Sequence, residues 1–186
     1  MAAGDYPFTL PDDLPVPEDD GAAAHLPGTR LPSLPLPATG GGTVDLSAVP
    51  GRAVVFAYPR TGRPGEGPTP DWDAIPGARG CTPEACAIRD THGQFAALGV
   101  TVFGLSAQTT EDQQEAAARL HLPYPLLSDA ELALARAVRL PTFEWRGRTL
   151  LKRATLLLAD GVIEDVLYPV FPPDRAAETA LARLEG

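Results

Sequence analysis

The stretch Val54-Val-Phe-Ala-Tyr-Pro59, followed after a Pro/Gly-rich loop by Gly80-Cys-Thr-Pro-Glu-Ala-Cys-Ala-Ile-Arg-Asp90, decides the fold of this chain. The first part is a run of β-prone residues, typical of a strand buried on both faces, and a proline ends it. The second part places Cys81 after a glycine at the start of a helical pattern. A thiol there meets the positive end of the helix dipole, which favours the thiolate. We therefore interpret the stretch as a redox site between a central strand and a helix.

The composition is that of an ordinary globular chain of 186 residues, with 44% hydrophobic and 21% charged residues. This length fits one domain. The formal net charge of −9 leaves little basic surface, so neither nucleic acid nor an anionic membrane is an expected partner. Two cysteines and three histidines cannot supply a closed tetrahedral zinc site, and no metal or other cofactor is expected.

The N-terminal region predicts an arm rather than a targeting segment. It has neither the basic nor the apolar part of a secretory signal, and the longest apolar run, Ala154–Ala159, is too short to cross a bilayer. We therefore expect a cytoplasmic protein, in which a pair of cysteines is more often catalytic than a permanent crosslink. Residues 1–28 are rich in Pro, Asp and Glu and predict an extended acidic arm, ordered only where it lies across the domain formed by residues 29–186.

The rest of the chain predicts alternating strands and helices. Residues 31–46 indicate a β-hairpin, residues 60–80 a long loop, residues 82–98 a helix and residues 140–148 a break. Further strands are predicted at 53–58, 100–105, 125–127, 149–158 and 162–170, and further helices at 110–120, 129–138 and 172–184. This order predicts an α/β chain with a thioredoxin-like fold: a central mixed β-sheet flanked by helices, with an N-terminal β-hairpin.

The segment Gly80–Asp90 resembles the start of the active-site helix of the peroxiredoxins, in the bacterioferritin-comigratory or Q-type subclass, which reads GCT-x3-C-x2-RD. The similarity continues in the same order at Phe56–Pro59, Leu126–Asp129 and Arg153–Leu158, and it covers about residues 31–186. The resemblance implies an antioxidant thiol peroxidase that reduces hydrogen peroxide and alkyl hydroperoxides. It also implies recycling by thioredoxin or a similar dithiol. Since members of this subclass are often monomers, we expect a monomer or weak dimer.

The resemblance implies roles for individual residues. Cys81 corresponds to the peroxidatic cysteine and Cys86 to the resolving cysteine. Arg153 corresponds to the arginine that faces the thiolate, and Pro59 to the proline that shields the site. Where the family has a threonine, three residues before the first cysteine, this chain has Ala78.

The hydroxyl that would hold the peroxide must therefore come from another position. Pro59 precedes Cys81 by 22 residues, a much longer separation than in the family's pattern. Thr61 lies at the end of the predicted strand and is our expected replacement, with Thr82 as the second candidate.

The spacing of the two cysteines sets a condition on the chemistry. A sulfenic acid at Cys81 would condense with Cys86 to a disulfide. Cα atoms five residues apart in a helix are ~8.6 Å apart, whereas a disulfide needs less than about 7 Å, so the helix start is predicted to unwind in each turnover.

Two alternative functions stay open. One is a peroxide-responsive redox sensor. The other is a thiol-disulfide oxidoreductase of the same fold, although that class uses C-x-x-C and this chain has C-x4-C.

Overall fold

Nine strands, five α-helices and two short 3₁₀ helices lie in residues 10–66 and 69–186, which are the residues that the computed structural model describes. The strands are β1 Pro35–Pro37, β2 Thr43–Asp45, β3 Arg52–Ala57, β4 Thr101–Ser106, β5 Leu126–Ser128, β6 Thr142–Trp145, β7 Arg148–Leu151, β8 Ala154–Ala159 and β9 Val162–Leu167. The helices are α1 Pro70–Asp73, α2 Cys81–Ala97, α3 Thr110–Arg119, α4 Ala133–Val138 and α5 Ala176–Glu185. None of these described helices combines the length and the apolar character that a bilayer span requires.

The central sheet has the order β5-β4-β3-β8-β9. β3 pairs in parallel with β4 and antiparallel with β8, so it is hydrogen-bonded along both edges. Its residues 53–57 are all buried, as expected for a continuous apolar run in a central strand. The predicted mixed sheet flanked by helices is confirmed, and β1 and β2 form the predicted N-terminal hairpin.

Alternate residues of β3 belong to two hydrophobic clusters on opposite faces of the sheet. Val54 and Phe56 pack with residues of α2 and α5. Val55 belongs to the other cluster, with the β1–β2 hairpin, α4 and Leu26 of the N-terminal arm. The described part of the arm therefore lies across the domain. Residues 1–9 are outside the described residues, and the division between arm and domain at residue 28 stays a prediction.

The structure corrects the prediction for the segment around Arg153. The residues predicted as a break, 140–148, contain β6, which pairs with β7 in an antiparallel hairpin. The run 149–158, predicted as one strand, is two strands, because Lys152 and Arg153 lie outside the ladders of β7 and β8. Arg153 is therefore on a short connection between strands, where its side chain can turn toward α2.

The structure also corrects the predicted bounds of one loop and one helix. The loop predicted at residues 60–80 contains the short helix α1, and its residues 67–68 lie outside the described residues. The helix predicted from residue 129 begins at Ala133. The Asp129 carboxylate instead accepts the backbone N–H groups of Leu134 and Ala135, so it caps the helix and is not part of it.

Candidate active site

Cys81 is the first residue of the 17-residue helix α2. Gly80 before it adopts a left-handed conformation, with φ of 111°. A Cβ at this position would lie 2.7 Å from Cγ of Pro173, so glycine is required both by the backbone and by the close approach of a neighbour. The tight turn places the Cys81 sulfur at the positive end of the helix dipole.

The guanidinium of Arg153 contacts the Cys81 sulfur, with 3.2 Å between Nη2 and Sγ. The same nitrogen donates to the carbonyl of Ala78 at 3.0 Å, and Nε donates to the carbonyl of Gly77 at 3.3 Å. Nη1 donates to the carboxylate of Glu84. These partners hold the cation in one orientation against the sulfur, and Cys81, Glu84 and Arg153 are all buried.

The groups around Cys81 act on the pKa of its thiol in opposite directions. Burial raises the pKa of the Cys81 thiol, Arg153 lowers it, and the negative charge of Glu84 raises it further. The backbone N–H of Arg60 also favours the thiolate. The loss of solvation outweighs the stabilising groups in this enclosed geometry, so the pKa of Cys81 is raised, and the expectation that the helix start favours the thiolate stays a prediction.

Of the expected shielding and hydroxyl residues, Thr61 lies beside the cysteine. Pro59 is buried two residues after the end of β3. Thr61 is 4% exposed and lines a small cavity together with Cys81. Its hydroxyl donates to Oε1 of Gln108 at 3.3 Å, so it can accept a hydrogen bond from a peroxide but must turn away from Gln108 before it can donate one. Thr82, the second candidate, is half-buried in the first turn of α2.

Cys86 lies on the same unbroken helix as Cys81 but packs elsewhere. It is buried against Ala85 and Leu120, whereas Cys81 belongs to the cluster between the sheet and α5. Both thiols are free, and burial raises the pKa of the Cys86 thiol. Because the first turn of α2 is intact here, the predicted unwinding before disulfide formation stays a prediction.

A pocket beside Arg153 is bordered by Tyr168, Pro169 and Val170 and by residues of three further segments. We call these three segments the rim: residues 10–25, residues 69–80 and the β6–β7 hairpin. Trp72 of the second segment and Trp145 of the hairpin are in contact, with ring centroids 4.9 Å apart. Trp72 is buried, so this contact fixes the long loop to the hairpin.

Residues 26–181 match the Redoxin family. The crystal structure of peroxidoxin BcpB from Mycobacterium tuberculosis superposes with a TM-score of 0.67 at 30% identity, covering 86% of this chain and 96% of that chain. This chain belongs to the redoxins, as a peroxiredoxin of the Q/Bcp group. Peroxiredoxin Bcp of Bacillus subtilis is 35% identical over 111 residues, which span 59% of this chain and 61% of that relative's length. The chloroplastic peroxiredoxin Q of Sedum lineare is 29% identical over 161 residues, which span 86% of this chain and 77% of that protein.

The family confirms the predicted fold and the predicted class of oxidoreductase. The structure of this peroxiredoxin brings Thr61, Cys81 and Arg153 together, and it places Cys86 in a different cluster from Cys81. The shielding role of Pro59 stays a prediction. Two parts of the rim depart from the family's pattern. The arm up to residue 25 precedes the family match, and the long loop produces the separation of 22 residues between Pro59 and Cys81.

Sequence reasoning misses two residues at the site of this peroxiredoxin. Glu84 is three positions after Cys81 and four before the buried Ile88, so helical spacing puts all three on one face, and this signal was available. Gln108 holds Thr61 by its backbone: Nε2 donates to the Thr61 carbonyl at 3.2 Å, and Oε1 accepts the Thr61 N–H at 3.0 Å. Nothing in the sequence indicates a contact between residues so far apart.

Proposed function

We propose that this chain is a thiol-dependent peroxidase in which the Cys81 sulfur attacks the peroxide. The observation that carries the proposal is the 3.2 Å contact between Nη2 of Arg153 and Sγ of Cys81 at the start of α2. The guanidinium is already oriented by the carbonyls of Gly77 and Ala78 and by Glu84. A cation held in this way stabilises developing negative charge without having to reorganise during the reaction.

The reaction begins with the thiolate of Cys81, which attacks one oxygen of the peroxide. The O–O bond breaks, and the second oxygen leaves as hydroxide or alkoxide. The sulfur is oxidised to a sulfenic acid, and the leaving oxygen takes up the proton that the thiol lost on ionisation, giving water or an alcohol. Negative charge moves from sulfur to the departing oxygen, where Arg153 and the N–H of Arg60 stabilise it.

The raised pKa of Cys81 determines how this rate depends on pH. Because burial raises the pKa of this thiol, we expect the acceleration to come mainly from stabilisation of the departing oxygen. We expect the rate of Cys81 oxidation to increase as pH rises toward the thiol pKa.

The second half of the cycle uses Cys86. Its thiol condenses with the Cys81 sulfenic acid, water leaves, and the first turn of α2 unwinds to bring the sulfurs together. A thioredoxin-like dithiol then reduces the disulfide by thiol-disulfide exchange. We expect this cycle to run in the cytoplasm, in a monomer or weak dimer, with hydrogen peroxide and organic hydroperoxides as substrates.

The test follows peroxide consumption by the purified chain with a thioredoxin system as reductant. Cys81→Ser is expected to abolish turnover. Cys86→Ser is expected to keep one turnover, leaving a sulfenic acid that dimedone can trap. Undiminished turnover in Cys81→Ser would overturn the assignment. Slow consumption by the wild-type protein with the dithiol present would favour a redox sensor instead.

A further inference from the structure

Thr61 lies between two cavities of the site. The small cavity on its inner side is lined by Thr61 together with Cys81 and Glu84. The pocket on its outer side measures about 530 Å³ and is lined by Thr61 and Gln108. This outer pocket reaches the surface, since Arg148 of its lining is exposed. Thr61 is therefore the residue through which the cavity of the reactive sulfur adjoins a pocket open to solvent.

Gln108 is hydrogen-bonded to three atoms of Thr61. Its Oε1 accepts the Thr61 N–H at 3.0 Å and the Thr61 hydroxyl at 3.3 Å, and its Nε2 donates to the Thr61 carbonyl at 3.2 Å. A residue held at its N–H, its carbonyl and its hydroxyl has little freedom to rotate. Because the single hydroxyl proton of Thr61 is directed to Oε1, the remaining lone pair of the Thr61 oxygen is available to accept from a ligand.

The backbone of Gln108 is fixed to the ends of two strands of the central sheet. Ser128, the last residue of β5, donates its hydroxyl to the Gln108 carbonyl at 2.6 Å. The hydroxyl of Ser106, the last residue of β4, accepts the Gln108 N–H at 3.3 Å. Gln108 thus fixes Thr61, at the start of the long loop, to the sheet. In the family's pattern the threonine is placed by its nearness to the cysteine in the sequence, at the position that is Ala78 here.

We propose that Gln108 is a positioning residue that fixes the Thr61 hydroxyl as a hydrogen-bond acceptor for the peroxide that reacts with Cys81. The inference rests on the proposed peroxidase function and adds the residue that prepares Thr61 for it. Gln108 is absent from the described lining of the Cys81 cavity, so it acts through Thr61 and not on the reacting atoms. The fixed hydroxyl receives the O–H of the peroxide and orients it before the sulfur attacks. Such orientation matters, because a misplacement of ~1 Å can cost about 10²-fold in rate.

The experiment uses the full chain carrying Cys86→Ser, called the parent, so that each molecule reacts with one peroxide. Stopped flow measures the second-order rate constant for oxidation of Cys81 by hydrogen peroxide. Gln108→Met has a similar length and removes all three hydrogen bonds to Thr61, so it is expected to lower this rate constant by about 10–100-fold. Gln114→Met, the same substitution at an exposed position of α3, is the matched control and is expected to leave it unchanged.

Two further measurements separate positioning of Thr61 from a general loosening of the site. Alkylation of Cys81 by iodoacetamide requires the thiolate but no hydrogen bond to a peroxide, so it is expected to proceed at the parent rate in Gln108→Met. Thr61→Val removes the hydroxyl. When Gln108→Met is added to Thr61→Val, it is expected to lower the oxidation rate by less than about threefold, because residues that act through one contact are not additive.

The outcomes separate the role of Gln108 from the peroxidase. If the parent is oxidised by peroxide and Gln108→Met reacts at the same rate, the positioning proposal is wrong and the peroxidase stands. An equal fall in the peroxide and iodoacetamide rates, or an undiminished further loss in the Thr61→Val chain, also overturns it. If Gln108→Met fails to fold, Gln108→Asn, which keeps the amide but is one methylene too short, decides the same comparison. If the parent does not react with peroxide at all, both proposals fall together.

Discussion

The central sheet and the rim of this molecule are held by different kinds of contact. β3 is hydrogen-bonded to a strand on each side, and its apolar side chains are buried on both faces. The rim is joined by side chains far apart in the sequence. Asp71 binds Arg146, Trp72 packs on Trp145, and Asp20 binds Lys152.

This difference indicates which part of the molecule can unfold locally. The ion pairs of the rim are partly exposed, and such pairs are worth about 0–1 kcal/mol each. A segment with few buried contacts opens locally at a lower free energy than the whole domain. We therefore expect the rim to open while the sheet stays folded. Such an opening also gives the first turn of α2 room to unwind for the Cys81–Cys86 disulfide.

The largest expected effect is the loss of unfolding free energy on truncating a side chain of the central sheet, compared with the same change in the rim. Phe56 of β3 is 1% exposed and packs edge-on against Phe95, so Phe56→Ala is expected to cost about 3–5 kcal/mol of unfolding free energy. Trp72→Ala in the rim is expected to cost about 1–2 kcal/mol, because the loop can collapse around the missing ring. Urea unfolding measures both. Equal costs would contradict the comparison and show that the rim unfolds only with the sheet.

The next largest effect concerns Arg153, which lies on the connection between β7 of the rim and β8 of the central sheet. Arg153→Met is expected to slow oxidation of Cys81 by about 10²–10³-fold, because it removes the cation that faces the departing oxygen. Stopped-flow tryptophan fluorescence can follow a single turnover, since Trp72 and Trp145 lie in the rim. Arg79→Met is the matched control: this arginine is two residues from Cys81 but pairs with Asp73. A loss below about tenfold in Arg153→Met, or the same loss in Arg79→Met, would contradict the assigned role.

The same division explains how much of the fold could be predicted. β3, β4 and α2 follow from local patterns: apolar runs, a proline after β3 and a glycine before α2. β6 was predicted as a break because its exposed and half-buried residues alternate around Glu144 and give no continuous apolar run. Its strand character comes from pairing with β7, which is a tertiary contact.

The candidate site is likewise predictable from the sequence only in part. The sequence indicates Cys81 and Arg153 through a family resemblance, and their contact in the structure agrees with it. The effect of burial on the pKa of Cys81 could not be predicted, because the helix dipole can be inferred from sequence whereas the degree of burial cannot. Glu84 is not predicted as a site residue for a related reason: an acidic residue in the first turn of a helix usually lies in solvent and interacts with the helix dipole. In this fold it points inward, against Arg153.

The smallest expected effect concerns Glu84, which competes with the Cys81 thiolate for the charge of Arg153. Its negative charge raises the pKa of Cys81, so Glu84→Gln is expected to shift the pH midpoint of Cys81 oxidation to lower pH. The glutamine keeps an oxygen that accepts from Arg153, so the maximal rate should change less than in Arg153→Met. Stopped-flow rates measured across a pH series give the midpoint. Glu164→Gln, at an exposed position of β9, is the matched control and should leave the midpoint where it is.

Glu84 also predicts how the stability of the reduced protein depends on pH. Burial raises the pKa of this carboxyl to about 7 in the folded chain, against an ordinary value of 4.5. Between these two values the folded state holds a proton that the unfolded state has released, so raising the pH through this window favours unfolding. The stability that Glu84 contributes is therefore complete below about pH 4.5 and is lost as the pH rises through about 7. Glu84→Gln removes this slope. If urea unfolding of the wild-type and Glu84→Gln proteins shows the same pH dependence between these values, the pKa of Glu84 is not raised by burial and its carboxylate is ionised throughout this range.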